Sequence, residues 1–242
     1  MRSALEAKGE YDKALENYER TLEIELRSLP TNHPSLATTY NNIGLVHAEK
    51  GEYDKALENY EKALEIKLRS LPTNHPSLAT TYNNMGSALA AKALKAKGEY
   101  DTALENYEKA LEVQLKSLPS SHPSLAATYD NIGLVHAEKA LQSKGEYHKA
   151  LENYEKALEI KLMLLPSNHP LLATTYNITR SALEAKGEYD KALENHESAL
   201  EIELKSLPSS HPSLATTYNN TGLVHVEKGG YDKALENYER TL

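Results

Sequence analysis

Residues 29–70, LPTNHPSLATTYNNIGLVHAEKGEYDKALENYEKALEIKLRS, are followed from Leu71 by almost the same sequence again. Repetition at this period constrains the fold more than any other feature. A short repeated unit cannot bury its apolar surface alone and has to bury it against its own copies. The phrase K-G-[EG]-Y places glycines at 9, 51, 98, 145, 187 and 229, with spacings of 42, 47, 47, 42 and 42 residues. The phrase L-P-x-x-H-P places prolines at 30/34, 72/76, 119/123, 166/170 and 208/212, and these pairs account for all ten prolines of the chain.

The stretches between this punctuation read as helices. From Leu36, apolar or small residues fall at Leu36, Ala37, Tyr40, Ile43, Gly44 and His47; from Tyr53 they fall at Tyr53, Ala56, Leu57, Tyr60, Ala63, Leu64 and Leu68. Both series have the spacing of one helix face. Pro34 suits a first helical position, where its missing N–H is not needed. Gly51 suits a turn with positive φ, and Leu71, preceding Pro72, is disfavoured in the α region and ends the second helix. Each repeat is therefore a helix A (about 34–50), a tight turn, a helix B (about 53–70) and a short loop. The predicted class is all-α, a single array over 1–242 with repeats at 34–75, 76–122, 123–169 and 170–211 and partial ones at 1–33 and 212–242. Mid-helix glycines at Gly44, Gly86, Gly133 and Gly222 imply close approach of the partner helix, since each loses about 1 kcal/mol against alanine. Starting and stopping mid-repeat reads as a fragment of a longer array or a truncated gene model.

Two departures stand out. Five extra residues precede the turn glycine around Ala93–Lys97 and Ala140–Lys144, which lengthens helix A by about 1.4 turns or loosens the corner. In the fifth repeat, TTYNITRSALEAKGEY puts Ile178 where the other repeats have asparagine and Arg180 where they have glycine. A large side chain at a close-packing position is expected to loosen that junction and make it the weakest of the array.

Chemistry is sparse. The net charge of −8 argues against a phosphate-backbone binder. With no cysteine there is no disulfide, thiolate nucleophile or cysteine-type zinc site. No run approaches the roughly 18 apolar residues of a membrane helix, and no basic start with an apolar stretch follows Met1. His33, His75, His122, His169 and His211 recur in the loops and His47, His136 and His225 on helix A, one per repeat, too far apart to share a metal. Asp54, Glu58 and Glu61 beside Lys55 and Lys62 read as a solvated face with i,i+4 pairs. Phosphate-binding, nucleophile-elbow and zinc-protease motifs are absent. No catalytic residue, cofactor or metal is expected. The sequons at Asn177 and Asn219 fall on predicted helices and read as chance matches.

The pattern Tyr40-x2-Ile43-Gly44-x2-His47, followed by Ala56, Tyr60 and Ala63, resembles the tetratricopeptide repeat, over essentially the whole chain. The 42-residue period, with A-L-E-I, L-P-x-x-H-P and Y-N-N-I-G, is similar to the longer repeats of kinesin light chains. The resemblance implies a right-handed superhelical solenoid of antiparallel helix pairs, with helix A on the concave side binding extended peptides. Asn42, Asn84, Asn131 and Asn220 then form a ladder, broken at Ile178. With Asn41, Asn83, Asn219, Leu45, Leu134 and Leu223 they are the candidate peptide-binding residues. An amide side chain offers donor and acceptor together and matches a peptide unit of any sequence. The face carries Thr38, Leu45 and Glu49 where carboxylate-clamping relatives use lysine or arginine, so no carboxylate clamp is expected. The implied function is a non-catalytic scaffold for protein or peptide ligands, a kinesin-light-chain-like cargo adaptor, with kinesin heavy chain or cargo reached through regions outside this chain. Its implied location is cytoplasmic and cytoskeleton-associated, with no nucleic acid or membrane partner. The alternative is the repeat region of a larger signalling or regulatory protein whose effector domain lies outside this chain.

Overall fold

The computed structural model describes residues 10–96, 100–143 and 147–241, and among these all regular structure is helical. The helices are α1 (Tyr11–Ser28), α2 (Pro34–Glu49), α3 (Tyr53–Ser70), α4 (Pro76–Ala96), α5 (Asp101–Ser117), α6 (Pro123–Ser143), α7 (His148–Leu164), α8 (Pro170–Lys186), α9 (Tyr189–Ser206), α10 (Pro212–Glu227) and α11 (Tyr231–Glu239). Among the described residues no helix is long and apolar enough to cross a membrane.

The punctuation works as its residue types demand. Leu29, Leu71, Leu118, Leu165 and Leu207, each preceding a proline, are extended with ψ between 148° and 154° and terminate the B helices. Gly51 and Gly187 turn between A and B helices at φ of 74° and 84°; Gly9, Gly98 and Gly145 lie outside the described residues. The loop histidines have a role that the periodicity did not reveal. In all five loops the imidazole Nδ1 accepts the backbone N–H two residues on, at 3.2 Å. At His33, His169 and His211 this is an N-cap directly ahead of a proline in the first turn. It satisfies one of the N–H groups that the helix leaves unpaired. Replacing His169 by alanine is expected to lower stability by about 0.5–2 kcal/mol, with asparagine restoring most of it, as read by denaturant unfolding.

The insertions lengthen helix A. α4 and α6 each have 21 residues where α2 and α10 have 16. The added turn buries Ala93 and Ala140 and leaves Leu94 and Leu141 exposed; Lys97 and Lys144 lie outside the described residues.

The chain divides into two compact halves, residues 1–119 and 120–242. In the first, α2/α3 and α4/α5 form antiparallel hairpins, α1 packs on α2, α3 on α4, and α2 touches α4. In the second, α6/α7, α8/α9 and α10/α11 are the hairpins, α7 packs on α8, α9 on α10, and α6 touches α8. The core is correspondingly local. One cluster joins Ala14, Leu15 and Tyr18 to Ile43 and Val46, the next joins Ala56 and Tyr60 to Met85 and Ala88. In the second half Leu172 and Ala173 pack with Ala199 and Ile202. Large buried side chains of this kind contribute about 1.5–3 kcal/mol each, and every one depends on a neighbouring helix.

Gly44, Gly86, Gly133 and Gly222 lie against the rings of Tyr60, Tyr107, Tyr154 and Tyr238. A β-carbon at these positions would stand 2.5–2.8 Å from a ring carbon. This is the close approach expected from the sequence. In the fifth repeat the tyrosine is replaced as well, by His196, and Glu184 stands where Ala48, Ala90 and Ala137 stand elsewhere. Arg180 fills the vacated space and donates from one guanidinium nitrogen to both Glu184 oxygens at 2.9 and 3.1 Å; His196 Nε2 lies 3.3 Å from the same carboxylate. Ile178 and Arg180 stand out in the sequence, but Glu184 and His196, the partners of the arginine, do not. The structure shows three coordinated substitutions.

Candidate peptide-binding surface

The A helices carry the asparagine pairs at one register. In the first half Asn41 is buried, and its amide oxygen accepts the Asn84 amide of the next A helix at 3.1 Å. Asn41 therefore faces the inter-repeat seam, while Asn42, Asn83 and Asn84 are half-buried and Leu45 is exposed. In the second half Asn131 and Asn220 are half-buried, Asn219, Leu134 and Leu223 are exposed, and Asn220 shares a cavity of about 460 Å³ with Asn177 and Ile178. The structure thus brings Asn41 together with Asn84, and Asn220 together with the fifth-repeat substitutions.

Behind this face runs a polar position that the sequence reading missed. It falls near the end of each B helix, at Glu25, Lys67, Gln114, Lys161 and Glu203, and Lys67, Gln114 and Glu203 are buried. Each charged member reaches a threonine on the following A helix. Thr39 donates to Glu25 at 2.7 Å and Thr217 to Glu203 at 2.7 Å; Lys67 donates to Thr81 at 2.7 Å and Lys161 to Thr175 at 2.5 Å. The reason it was missed is that a residue varying between Glu, Lys and Gln looks like solvated surface; the signal was the threonine that accompanies it at fixed spacing.

Charge balance at this position differs from repeat to repeat. Lys161 is neutralised by Asp130 at 2.5 Å, and burial pushes the Asp130 carboxyl up against the pull of that lysine. Lys67 has the Ser77 carbonyl, at 3.0 Å, and the Thr81 hydroxyl, and burial pushes its ammonium pKa down. Glu203 accepts the Asn177 amide at 3.3 Å and the Thr217 hydroxyl.

Around the edges charge pairs bridge neighbouring repeats. Lys50 pairs with Asp12 at 2.6 Å, and Lys92 with Asp54 and Lys228 with Asp190 repeat the contact 38 residues apart. Glu52 at the A–B turn accepts from Lys55 and hydrogen-bonds His47 at 2.8 Å, and these contacts hold its carboxyl down at about 2. On the B helices Glu58–Lys62, Glu112–Lys116 and Glu152–Lys156 are i,i+4 pairs at 2.5–2.7 Å. Exposed pairs of this kind contribute little stability.

A tetratricopeptide repeat profile matches residues 3–69, 41–93, 89–140 and 181–242, and a second tetratricopeptide repeat profile matches 125–171. No curated protein matches the sequence. Among solved structures, a candidate kinesin light chain from Podosopora anserina with nearly identical TPR-like repeats is 25% identical, over 86% of this chain and 94% of that one, with a TM-score of 0.71. BtubC (BKLC) from P. vanneervenii is 21% identical over 96% and 89% of the two chains, with a TM-score of 0.76. The apo form of RapI is 20% identical over 94% of this chain and 58% of that one, at 0.72. The last two likenesses bear on the fold alone.

Proposed function

We propose that this chain, which belongs to the tetratricopeptide repeat family, is a non-catalytic scaffold that holds extended peptide segments along the A helices of each half. The observation carrying this reading is the register of Asn42, Asn84, Asn131 and Asn220, half-buried amides at the same A-helix position in every described repeat but the fifth, where Ile178 stands. A hydrogen bond nets about 0.5–1.5 kcal/mol, so the two ladder positions of each half, making two bonds each, supply about 2–6 kcal/mol. Micromolar binding requires about 8 kcal/mol, and ordering the peptide consumes part of the gain. Side-chain pockets have to supply the remainder, and near-identical repeats offer near-identical pockets unless one of them departs.

The likeness to the Podosopora protein supports a kinesin-light-chain-like cargo adaptor, with heavy chain or cargo engaged through regions outside these residues and a cytoplasmic, cytoskeleton-associated location.

The test is a pulldown with the full chain beside a variant with Asn42, Asn84, Asn131 and Asn220 all changed to alanine, its helicity first verified by circular dichroism. Partners bound by the wild type are expected to be lost by the variant. Retention of the same partners would move the working surface to the B helices or the extended α4 and α6 tips.

A further inference from the structure

We propose that the cavity between α8 and α10 takes a cationic side chain, lysine or arginine, from the bound peptide, with the Glu203 carboxylate as its counter-ion. The inference rests on the A-helix reading above and names the chemistry of one of its pockets. Glu203 is 7% exposed, yet it lines the floor of the cavity of about 460 Å³. Among the described residues its two oxygens accept the Asn177 amide and the Thr217 hydroxyl, both neutral donors. A carboxylate offers about four lone-pair positions, which leaves capacity directed at a further donor. Among the described residues no cation forms an ion pair with it. Arg180 lines the same cavity but is committed to Glu184. His211, also on the wall, accepts the Ser213 N–H through Nδ1. A charge held away from water with neutral partners alone is unfavourable, and a cation delivered by a ligand relieves it.

The contrast with the neighbouring repeats locates the site. At the same B-helix position the chain has Glu25, which is only half-buried, then Lys67, Gln114 and Lys161, and Lys161 is already neutralised by Asp130. Within the second half Glu203 is therefore the floor residue that leaves a negative charge for a ligand. A basic residue in the peptide would fix its register at the fifth repeat, which the near-identical amides by themselves cannot do.

The probe is a random peptide library displayed on phage, selected on the full chain and on Glu203→Gln, which keeps an acceptor for Thr217 and removes the charge. Peptides selected by the wild type are expected to carry lysine or arginine at one fixed position. Replacing that residue by norleucine in a synthetic copy should weaken binding about tenfold or more, the scale of a charge-assisted hydrogen bond. Glu203→Gln should bind the lysine and norleucine peptides alike. The norleucine comparison leaves the protein untouched and so stands whether or not the variant folds. Selected peptides that lose binding in Asn220→Ala but show no fixed basic residue would overturn the cation site and leave the A-helix reading intact. Failure of the wild type to select any peptide would overturn both.

Discussion

Glu184→Ala is expected to destabilise the chain by about 3 kcal/mol, near the low end of the range for removing one partner of a buried ion pair. Arg180 is 12% exposed and Glu184 27%; without the carboxylate the largely buried guanidinium loses its counter-charge, and among the described residues its Nε already has no hydrogen-bond partner. The triple change Arg180→Gly, Glu184→Ala and His196→Tyr restores the combination found at Gly44, Ala48 and Tyr60 and at Gly133, Ala137 and Tyr154. It should be as stable as the wild type or more so, by up to about 4 kcal/mol, since well-packed apolar groups often match or exceed a buried ion pair. A loss of stability in the triple variant, in urea unfolding, would show that the polar trio is the better solution at this site. It would also remove the expectation that this junction is the weakest.

The same trio has a pH signature. Burial pushes the His196 imidazole below its ordinary 6.5, against the raising pull of the Glu184 hydrogen bond, while Arg180 adds to the lowering and Glu203 opposes it. His196 is 0% exposed, and among the described residues its Nδ1 has no partner. The unfolded chain then binds more protons than the folded one, so the histidine's contribution is present above about pH 6.5 and is lost as pH falls from there through the lower folded value. For Glu184, burial raises the carboxyl, but the His196 hydrogen bond and the Arg180 charge outweigh it and hold it below 4.5, which adds a second loss at lower pH. The triple variant should lose both parts of the acid sensitivity. Equal acid sensitivity in the two proteins would place its origin elsewhere.

The second large effect is at Gly133. Alanine there should lower stability by about 1–3 kcal/mol, the usual consequence of overpacking, although alanine in an unpacked helix gains about 1 kcal/mol over glycine. The added carbon would stand 2.5 and 2.7 Å from two Tyr154 ring carbons and 3.2 Å from the Ala150 carbonyl oxygen. The ring is 1% exposed and packed among Ala150, Leu151 and Ala182, so it has nowhere to move. Combining Gly133→Ala with Tyr154→Leu should abolish the penalty of the alanine, a non-additivity measurable in a double-mutant cycle. Purely additive losses would mean that the glycine serves something other than the ring.

These sites mark how far the sequence carries. Pro34, Gly51 and Leu71 dictated where helices start, turn and stop, because proline and glycine act through local backbone sterics that need no neighbour. The period dictated an array, because a helix pair with one apolar stripe has to be covered by its copy. Even the touching of Gly133 and its partner helix was legible, since a glycine in a helix interior is explained by close contact. The identity of the contacting residue was a matter for the tertiary structure. So was the role of the loop histidines as caps, which depends on an imidazole rotamer rather than on spacing. Arg180 looked like a wedge until its neighbours in space, Glu184 and His196, were seen to have changed with it. Glu203 looked like one more surface acid among 35 acidic residues. Periodicity assigns a residue to a face, but the charge balance of a buried position depends on groups that three different helices bring together, and only the packed fold decides which of them meet.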